Sequence, residues 1–132
     1  MQVLLPPGWP RPRGYANGVA ATGRMVFVAG MVGWDADARF ASDTLAGQAR
    51  QALANVVAVL HEAGARPEHI VRMTWYVTDK REYIASYPEI GVAFRELIGG
   101  FEIAMTAVEV TALIEDQAKV EIEVTAVIPI AA

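Results

Sequence analysis

The stretch AMTAVEVTALIEDQAKVEIEVTAVI, residues 104–128, decides the fold of this chain. Apolar and polar residues alternate at both of its ends, which is the period of a β-strand with one buried face. The pattern predicts two strands that pair with each other through a connection at about residues 114–117. The apolar face would carry Val108, Val110, Val120, Ile122 and Val124. The other face would carry Glu109, Glu121 and Glu123, whose protonation becomes a chemical question if another subunit covers them.

The first residues predict an arm followed by a hairpin. Residues 1–14 contain four of the seven prolines and are expected to be irregular. Strands at residues 19–21 and 24–29 flank Thr22-Gly23, a typical turn sequence. We therefore expect these two strands to pair as an antiparallel hairpin.

A helix, a strand and a second helix are predicted next. After a loop at residues 30–40, apolar side chains recur at helical spacing in LAGQARQALANVVAVLHEAGA, residues 45–65. Residues 70–79 are dense in β-branched and aromatic side chains and predict a central strand. A second helix is expected at about residues 81–98, where Pro88 either kinks the helix or begins it. The order ββαβαββ predicts an α+β fold, with one mainly antiparallel sheet and two helices on one face.

Composition excludes several classes of protein. The 132 residues suit one domain spanning residues 1–132, and the chain has no cysteine for thiol catalysis or zinc. His61 and His69 lack the spacing of metal ligands, so no metal is expected. With 15 acidic and 11 basic residues, the chain gives no sign of a nucleic-acid partner. No apolar run reaches the roughly 18 residues of a membrane span, so we expect a soluble cytoplasmic protein without a membrane partner.

The apolar content points to an oligomer. Hydrophobic residues make up 54% of the sequence, and the mean hydropathy is +0.29. A small monomer has little interior in which to bury so much apolar surface, and the surplus usually lies in a subunit interface. An oligomer is therefore expected.

Six segments in chain order resemble a known family. They are Gly14-Tyr15, VFVAG at 26–30, QARQALANVVAVLHEAG at 48–64, IVRMTWYVTD at 70–79, AMTAVEV at 104–110 and VEIEVTAV at 120–127. Together they resemble the Rid family (reactive intermediate deaminase, also called YjgF). The resemblance implies a chorismate-mutase-like fold and a homotrimer with a ligand cleft at each subunit boundary.

The resemblance also implies a reaction, the hydrolytic deamination of a small reactive imine or enamine without a cofactor. In the family's active imine deaminases an arginine of the C-terminal signature clamps the substrate carboxylate. Met105 occupies the matching position here, and a methionine forms an apolar wall instead. Ala107 and Ala29 stand where the family often has cysteine and serine. Atypical substrate specificity is therefore expected, with Arg72 as a candidate replacement for the clamp.

The resemblance assigns two catalytic candidates, Glu121 and Tyr15. Glu121 would orient or deprotonate the water that attacks a C=N carbon, and Tyr15 would position the substrate. We expect Met105 on the same sheet face as Glu121. Glu109 and Glu123 are expected to be structural. Some of the three acids are expected to pair across a subunit interface, with Lys119 or an arginine as a candidate partner. The ligand-binding candidates are Gly30, Gly33, Trp34, Tyr87, Met105 and Ala107.

Two other functions stay open from the sequence. A non-catalytic trimer could bind a small apolar or aromatic metabolite in the same cleft, which the loss of the arginine favours. The presence of Tyr15 and Glu121 favours the enzyme, although each residue could equally be structural. RNA cleavage is sometimes attached to the family by name, and the acidic balance of the chain argues against it.

Overall fold

The structure, a computed structural model, describes residues 1–130. Within them the strands are β1 (Gln2–Leu4), β2 (Gly18–Ala20), β3 (Arg24–Val32), β4 (Ile70–Val77), β5 (Ala104–Glu109) and β6 (Val120–Ile128). The helices are α1 (Leu45–Glu62), α2 (Lys80–Ala85) and α3 (Tyr87–Leu97). None of the helices in this range is long and apolar enough to span a membrane.

Four strands form the main sheet, in the order β3-β6-β4-β5. β6 pairs antiparallel with both β3 and β4, whereas β5 runs parallel to β4. The predicted pairing of β5 with β6 is therefore wrong, because β4 lies between them. The helices after β4 return the chain to the end of the sheet where β4 began, which makes β5 its parallel neighbour.

The predicted hairpin is also wrong in its partners. β2 pairs antiparallel with β1, which lies in the arm that was expected to be irregular, and β3 pairs with β6. Gly23 lies where a Cβ would come within 2.0 Å of the carbonyl oxygen of Ile128. The glycine thus permits a close approach of the chain to the end of β6 rather than a tight turn. β3 also continues to Val32, three residues into the predicted loop.

The second predicted helix is divided at Ser86. The Ser86 hydroxyl donates a hydrogen bond to the carbonyl of Glu82, 2.7 Å away, at the end of α2. Pro88 lies in the first turn of α3, where its missing N–H leaves no helical bond unmade. Of the two alternatives left by the sequence, Pro88 begins a helix.

The core lies between the sheet and the helices. The buried face of α1 packs on β3 and β6 and contacts α3. Among the largest fully buried side chains are Leu45, Leu53 and Leu60 of α1. Those of the sheet include Ile70, Met73 and Ile122. Val120, Ile122 and Val124 face the helices, as the alternation in β6 predicts.

The opposite side of the sheet is covered by no helix of residues 1–130, and we call it the open face. It carries Met25, Phe27, Arg72, Thr74, Tyr76, Thr106, Val108, Glu121 and Glu123. β4 and β5 pair Met73 with Met105 and Val77 with Glu109, so Met105 and Glu109 lie on the helix side. The predicted faces of β5 are therefore wrong: Met105 and Glu109 do not share a face with Glu121, and Val108 does not share the buried face with Val120. Alternation shows which residues of one strand lie on the same side of the sheet. It does not show which residues of two strands that are not neighbours share a side.

Candidate functional site

A groove of about 590 Å³ opens on the helix side of the edge strand β5, next to α2 and α3. We call it the aromatic groove, and its walls include Tyr15, Trp75, Tyr83, Tyr87, Phe94 and Met105. Four of the predicted site residues lie in it, namely Tyr15, Tyr87, Met105 and Ala107. The structure thus brings together half of the predicted site.

Helical spacing explains the wall formed by α3. Tyr87, Ile90, Gly91, Phe94 and Arg95 all line the groove, and positions three or four apart in a helix share one face. The Tyr83 and Tyr87 rings meet edge to face with centroids 5.2 Å apart. This is a favoured arrangement for aromatic pairs, so the wall is preorganised for a flat apolar group.

Backbone pairing brings Tyr15 to the groove. The Ala16 N–H donates a hydrogen bond to the carbonyl of Ile103, 2.8 Å away, just before β5 begins. Ala16 also forms a parallel bridge with Ala104. Tyr15 therefore lies near the beginning of the strand that carries Met105, with 43% of its surface exposed.

Tyr83 is a packing residue of the groove. Burial, with a smaller contribution from Tyr87, raises the pKa of Tyr83 from 10.0 to about 12. The phenol therefore keeps its proton at neutral pH. A neutral hydroxyl with so high a pKa is a poor general base.

Trp75 adds an unpaired donor to the same wall. The side chain is only 2% exposed, and its ring centroid is 5.9 Å from that of Tyr83. Its Nε1 is buried and has no hydrogen-bond acceptor among residues 1–130. Buried donors are nearly always paired, so this one calls for an explanation. Trp75 belongs to the hydrophobic core as well as to the wall of the groove, and the sequence analysis did not place it at a site.

Glu121 and Gly30 form a second cluster, on the open face. A Cβ on Gly30 would come within 2.7 Å of the Glu121 carboxyl carbon, so the glycine makes room for this side chain. Gly30 lies at an irregularity of β3, where the pairing with β6 shifts between Val28 and Met31. Glu121 and Gly30 lie on β6 and β3, whereas Tyr15 lies beside β5. In one copy of the chain the catalytic pair predicted from the resemblance does not share a cavity.

The three glutamates of the C-terminal stretch have different environments. The Tyr76 hydroxyl donates to Glu123 Oε1 at 2.5 Å, and this hydrogen bond raises the pKa of Tyr76 above its usual value. Glu109 Oε1 accepts from the Lys80 N–H at 2.8 Å, at the beginning of α2. Within residues 1–130 the Glu121 carboxylate forms neither an ion pair nor a side-chain hydrogen bond.

The expected partners of these acids are elsewhere. Lys119 pairs with Glu82, with Nζ 3.1 Å from Oε1, and not with an acid of the strands. Arg72 lies on the open face, opposite the side of the sheet that carries Met105. In one copy of the chain Arg72 therefore does not replace the missing clamp, because the sheet separates it from the groove.

Gly33 and Trp34 do not line the aromatic groove, and they follow Val32, the register partner of Glu121. A Cβ on Gly33 would come within 2.4 Å of the Gln48 carbonyl oxygen, so the glycine allows the chain to pass close to α1. The Trp34 ring packs against Phe40, and its carbonyl accepts a hydrogen bond from Asn55 Nδ2 at 2.8 Å. These contacts attach the loop after β3 to α1.

Two arginines of the groove were missed by sequence reasoning. Arg13 and Arg95 line it, and neither forms an ion pair with an acidic side chain in the part of the chain that the structure describes. Arg95 was detectable, because it lies eight residues after Tyr87 and so on the same helical face. Arg13 lies in the proline-rich arm, which has no periodicity to show where its side chains point. The described residues also contain no cluster of three or more His, Asp or Glu side chains arranged to hold a metal.

Comparison with known proteins decides the family. A family model described as Endoribonuclease L-PSP matches residues 10–128. A crystal structure of the Rid-family protein YyfB from Yersinia pestis is similar over 96% of this chain and 98% of its own, with a TM-score of 0.82 and 30% identity. The chain belongs to the Rid (YjgF) family. The fold class and the family expected from the sequence are thereby confirmed.

Other Rid-family relatives cover most of the chain as well. A 2-iminobutanoate/2-iminopropanoate deaminase of Salmonella typhimurium is 34% identical over 113 residues, 86% of each chain. A RutC family protein of Synechocystis is 31% identical over 131 residues, 98% of each chain. The crystal structure of E. coli TdcF with bound serine has a TM-score of 0.70 at 28% identity and covers 96% of this chain and 98% of its own.

Proposed function

We propose that this Rid-family protein hydrolyses a small reactive imine or enamine, with atypical substrate specificity, in a cleft between two copies of the chain. The observation that carries the proposal is that the Glu121 carboxylate is unpaired. Alone among the three glutamates of the C-terminal stretch, it has no hydrogen-bonding partner within residues 1–130. A carboxylate that the fold leaves unpaired is free to act on a bound water. The deaminase relative from Salmonella typhimurium supports the same chemistry.

The reaction needs few groups. Glu121 takes a proton from water as the oxygen adds to the C=N carbon, and the resulting carboxylic acid gives that proton to the nitrogen. The hydroxyl proton of the adduct then moves to the nitrogen by the same route. The nitrogen then leaves as ammonia while the C–O bond becomes a carbonyl. An enamine first tautomerises to the imine. Tyr15 holds the substrate, and the backbone at Gly30 leaves the Glu121 carboxylate room to reach the water.

A second copy of the chain would bring these groups together. The open face exposes Phe27 and Met25, at 71% and 56%, and apolar surface of this kind favours an interface. We propose a homotrimer in which the Glu121 and Gly30 of one copy face the aromatic groove of the next. Closed cyclic symmetry then gives three equivalent clefts.

Met105 accounts for the atypical specificity in this proposal. A thioether cannot form the charge-assisted bonds that a guanidinium makes to a carboxylate, and one such bond contributes roughly 1.5–3 kcal/mol. We therefore expect weak or absent turnover of 2-iminobutanoate. Met105→Arg should raise that turnover if the rest of the cleft is intact.

The second candidate is a non-catalytic trimer that binds an apolar or aromatic metabolite. It is favoured by the aromatic walls of the groove and by Met105, which serve binding without chemistry. Nucleic acid is a poor partner for a chain with a net charge of −4, although the family description names an endoribonuclease.

The deciding experiment measures ammonia release from a panel of imines generated in situ from amino acids. Glu121→Gln is expected to lower turnover about 100-fold or more, the usual contribution of a general base. Glu109→Gln is the matched control, since its amide oxygen can still accept from Lys80. Wild-type turnover by Glu121→Gln would contradict the proposal. Ligand binding without ammonia release from any imine would favour the non-catalytic alternative.

A further inference from the structure

We propose that Arg95, assisted by Arg13, binds the carboxylate of an aromatic 2-oxo or 2-imino acid whose ring lies in the aromatic groove. The inference rests on the proposed function, because it takes the groove to be the substrate-binding half of the cleft. It differs from the resemblance in placing the anion on α3 and the arm rather than on β5.

The position of Arg95 is set by the glycine one turn before it. A Cβ on Gly91 would lie 3.3 Å from Arg95 Nη1, so the guanidinium lies along the helix above Gly91. Both residues line the groove. A larger side chain at position 91 would crowd the guanidinium. The sequence therefore places a permanent positive charge at the wall of a groove that aromatic side chains and Met105 largely line.

Arg95 forms no ion pair with an acidic side chain within residues 1–130. The adjacent Glu96 pairs with Arg50, with Oε2 2.8 Å from Nη2, and does not meet Arg95. Arg11 pairs with Glu102 in the same way. Arg13 and Arg95 form no ion pair with any acid that the structure describes in residues 1–130, and both are exposed. Two guanidinium groups with free donors at one groove are suited to a planar carboxylate.

The rest of the groove fits a flat apolar group. Tyr83 and Tyr87 present rings edge to face, and Met105 adds a polarizable apolar wall. Trp75 lines the same wall and packs against Tyr83, with ring centroids 5.9 Å apart. The small side chain of 2-iminobutanoate would fill little of a groove of about 590 Å³.

Binding of phenylpyruvate, measured by calorimetry on the full chain, tests the inference. Phenylacetone lacks the carboxylate and pyruvate lacks the ring, so each removes one half of the proposed recognition. We expect phenylpyruvate to bind about tenfold or more tightly than either. Arg95→Gln should weaken phenylpyruvate roughly tenfold or more and leave phenylacetone unchanged. Arg13→Gln should weaken phenylpyruvate to a smaller degree.

Arg81→Gln is the matched control, because Arg81 is an exposed arginine of α2 that does not line the groove. It should bind phenylpyruvate as the wild type does. Wild-type affinity in Arg95→Gln overturns the inference, and so does equal affinity of the wild type for phenylpyruvate and phenylacetone. Either result leaves ammonia release from other imines untouched. Conversely, full turnover by Glu121→Gln would defeat the proposed function while the binding measurement still stood.

Discussion

At the scale of single residues, two glycines near the end of β3 have opposite surroundings. The space beside Gly30 is filled by the end of the Glu121 side chain, which can move. The space beside Gly33 is filled by the backbone of α1 at Gln48, which cannot. The same substitution should therefore have different effects at the two positions.

Gly33→Ala is expected to lower the free energy of unfolding by about 1–3 kcal/mol, because the new methyl group would overlap α1. Gly30→Ala should change it by less than about 1 kcal/mol while it displaces the Glu121 carboxylate and reduces turnover. Urea unfolding and ammonia release measure the two effects. Equal loss of stability in both variants would contradict the difference drawn between side-chain and backbone neighbours.

Tyr83 predicts an alkaline limit to stability. Its pKa is about 12 in the folded chain against 10.0 for an ordinary tyrosine, so the folded state holds the proton more tightly. The stabilisation is complete below pH 10 and is lost as the pH rises from 10 through 12. Absorbance at 295 nm should show a component with a midpoint near pH 12, and Tyr83→Phe should remove it. Loss of a component near pH 10 instead would contradict the burial of this phenol.

The site residues could be predicted from the sequence only in part. Tyr15, Tyr87, Met105 and Ala107 were assigned to one site and do line one groove. Glu121 was expected beside Met105, but the two lie on opposite sides of the sheet. The sequence gives the alternation within β6 and within β5. Which side of the sheet each alternating set faces depends on the strand between them.

At the scale of elements, Gln48 attaches α1 to the loop before β6. Its Nε2 donates to the carbonyls of Ser42 and Gln117 at 3.1 and 3.0 Å, and its Oε1 accepts from the Lys119 N–H at 2.8 Å. The side chain is 1% exposed, so water cannot replace these bonds. The contact fixes the point at which β6 enters the sheet.

Gln48→Leu is expected to lower the free energy of unfolding by about 2–4 kcal/mol, because three backbone groups lose the partner that the buried Gln48 side chain supplies. Gln51→Leu is the control on the same helix. The Gln51 side chain is half-buried and, among the described residues, bonds only to Asn55. Gln51→Leu should therefore lower the free energy of unfolding by less than about 1 kcal/mol. Chemical denaturation of both variants makes the comparison. A similar loss in both would show that Gln48 is not a special connection.

The elements themselves were more predictable than their partners. The helix at 45–62 and the strand at 70–77 follow from periodicity and β-branched content, and both were predicted. The pairing of β5 and β6 was not predictable. Alternation is a local signal, and it carries no information on whether β4 lies between them. The strand β1 was missed because four prolines follow it within residues 6–12 and only three residues, Gln2–Leu4, form it.

At the scale of the whole molecule, the open face is the surface that the proposed trimer would cover. Phe27 lies on this face in the edge strand β3, where it is 71% exposed and pairs with Thr125 of β6. A sheet face with large apolar side chains in water is unfavourable for a free monomer. The apolar content of the sequence led to the same expectation.

Sedimentation at micromolar concentration is expected to show a trimer for the wild type. Phe27→Glu should dissociate it, since a buried unpaired carboxylate in an interface is strongly unfavourable. Val59→Glu changes an exposed apolar residue on α1, away from the open face, and should leave the trimer intact. A stable wild-type monomer would contradict both the proposed trimer and the proposed inter-subunit cleft.

The order β3-β6-β4-β5 has a consequence for how the chain folds during its synthesis on the ribosome. β6 is the last strand in chain order, yet it lies between β3 and β4 and pairs with both. Until it is synthesised, β3 and β4 have no neighbour in common, and the buried face of α1 has half a sheet to pack on. Translation adds residues more slowly than most small domains fold. The nascent chain is therefore expected to remain protease-sensitive until the segment from Val120 to Ile128 has left the exit tunnel.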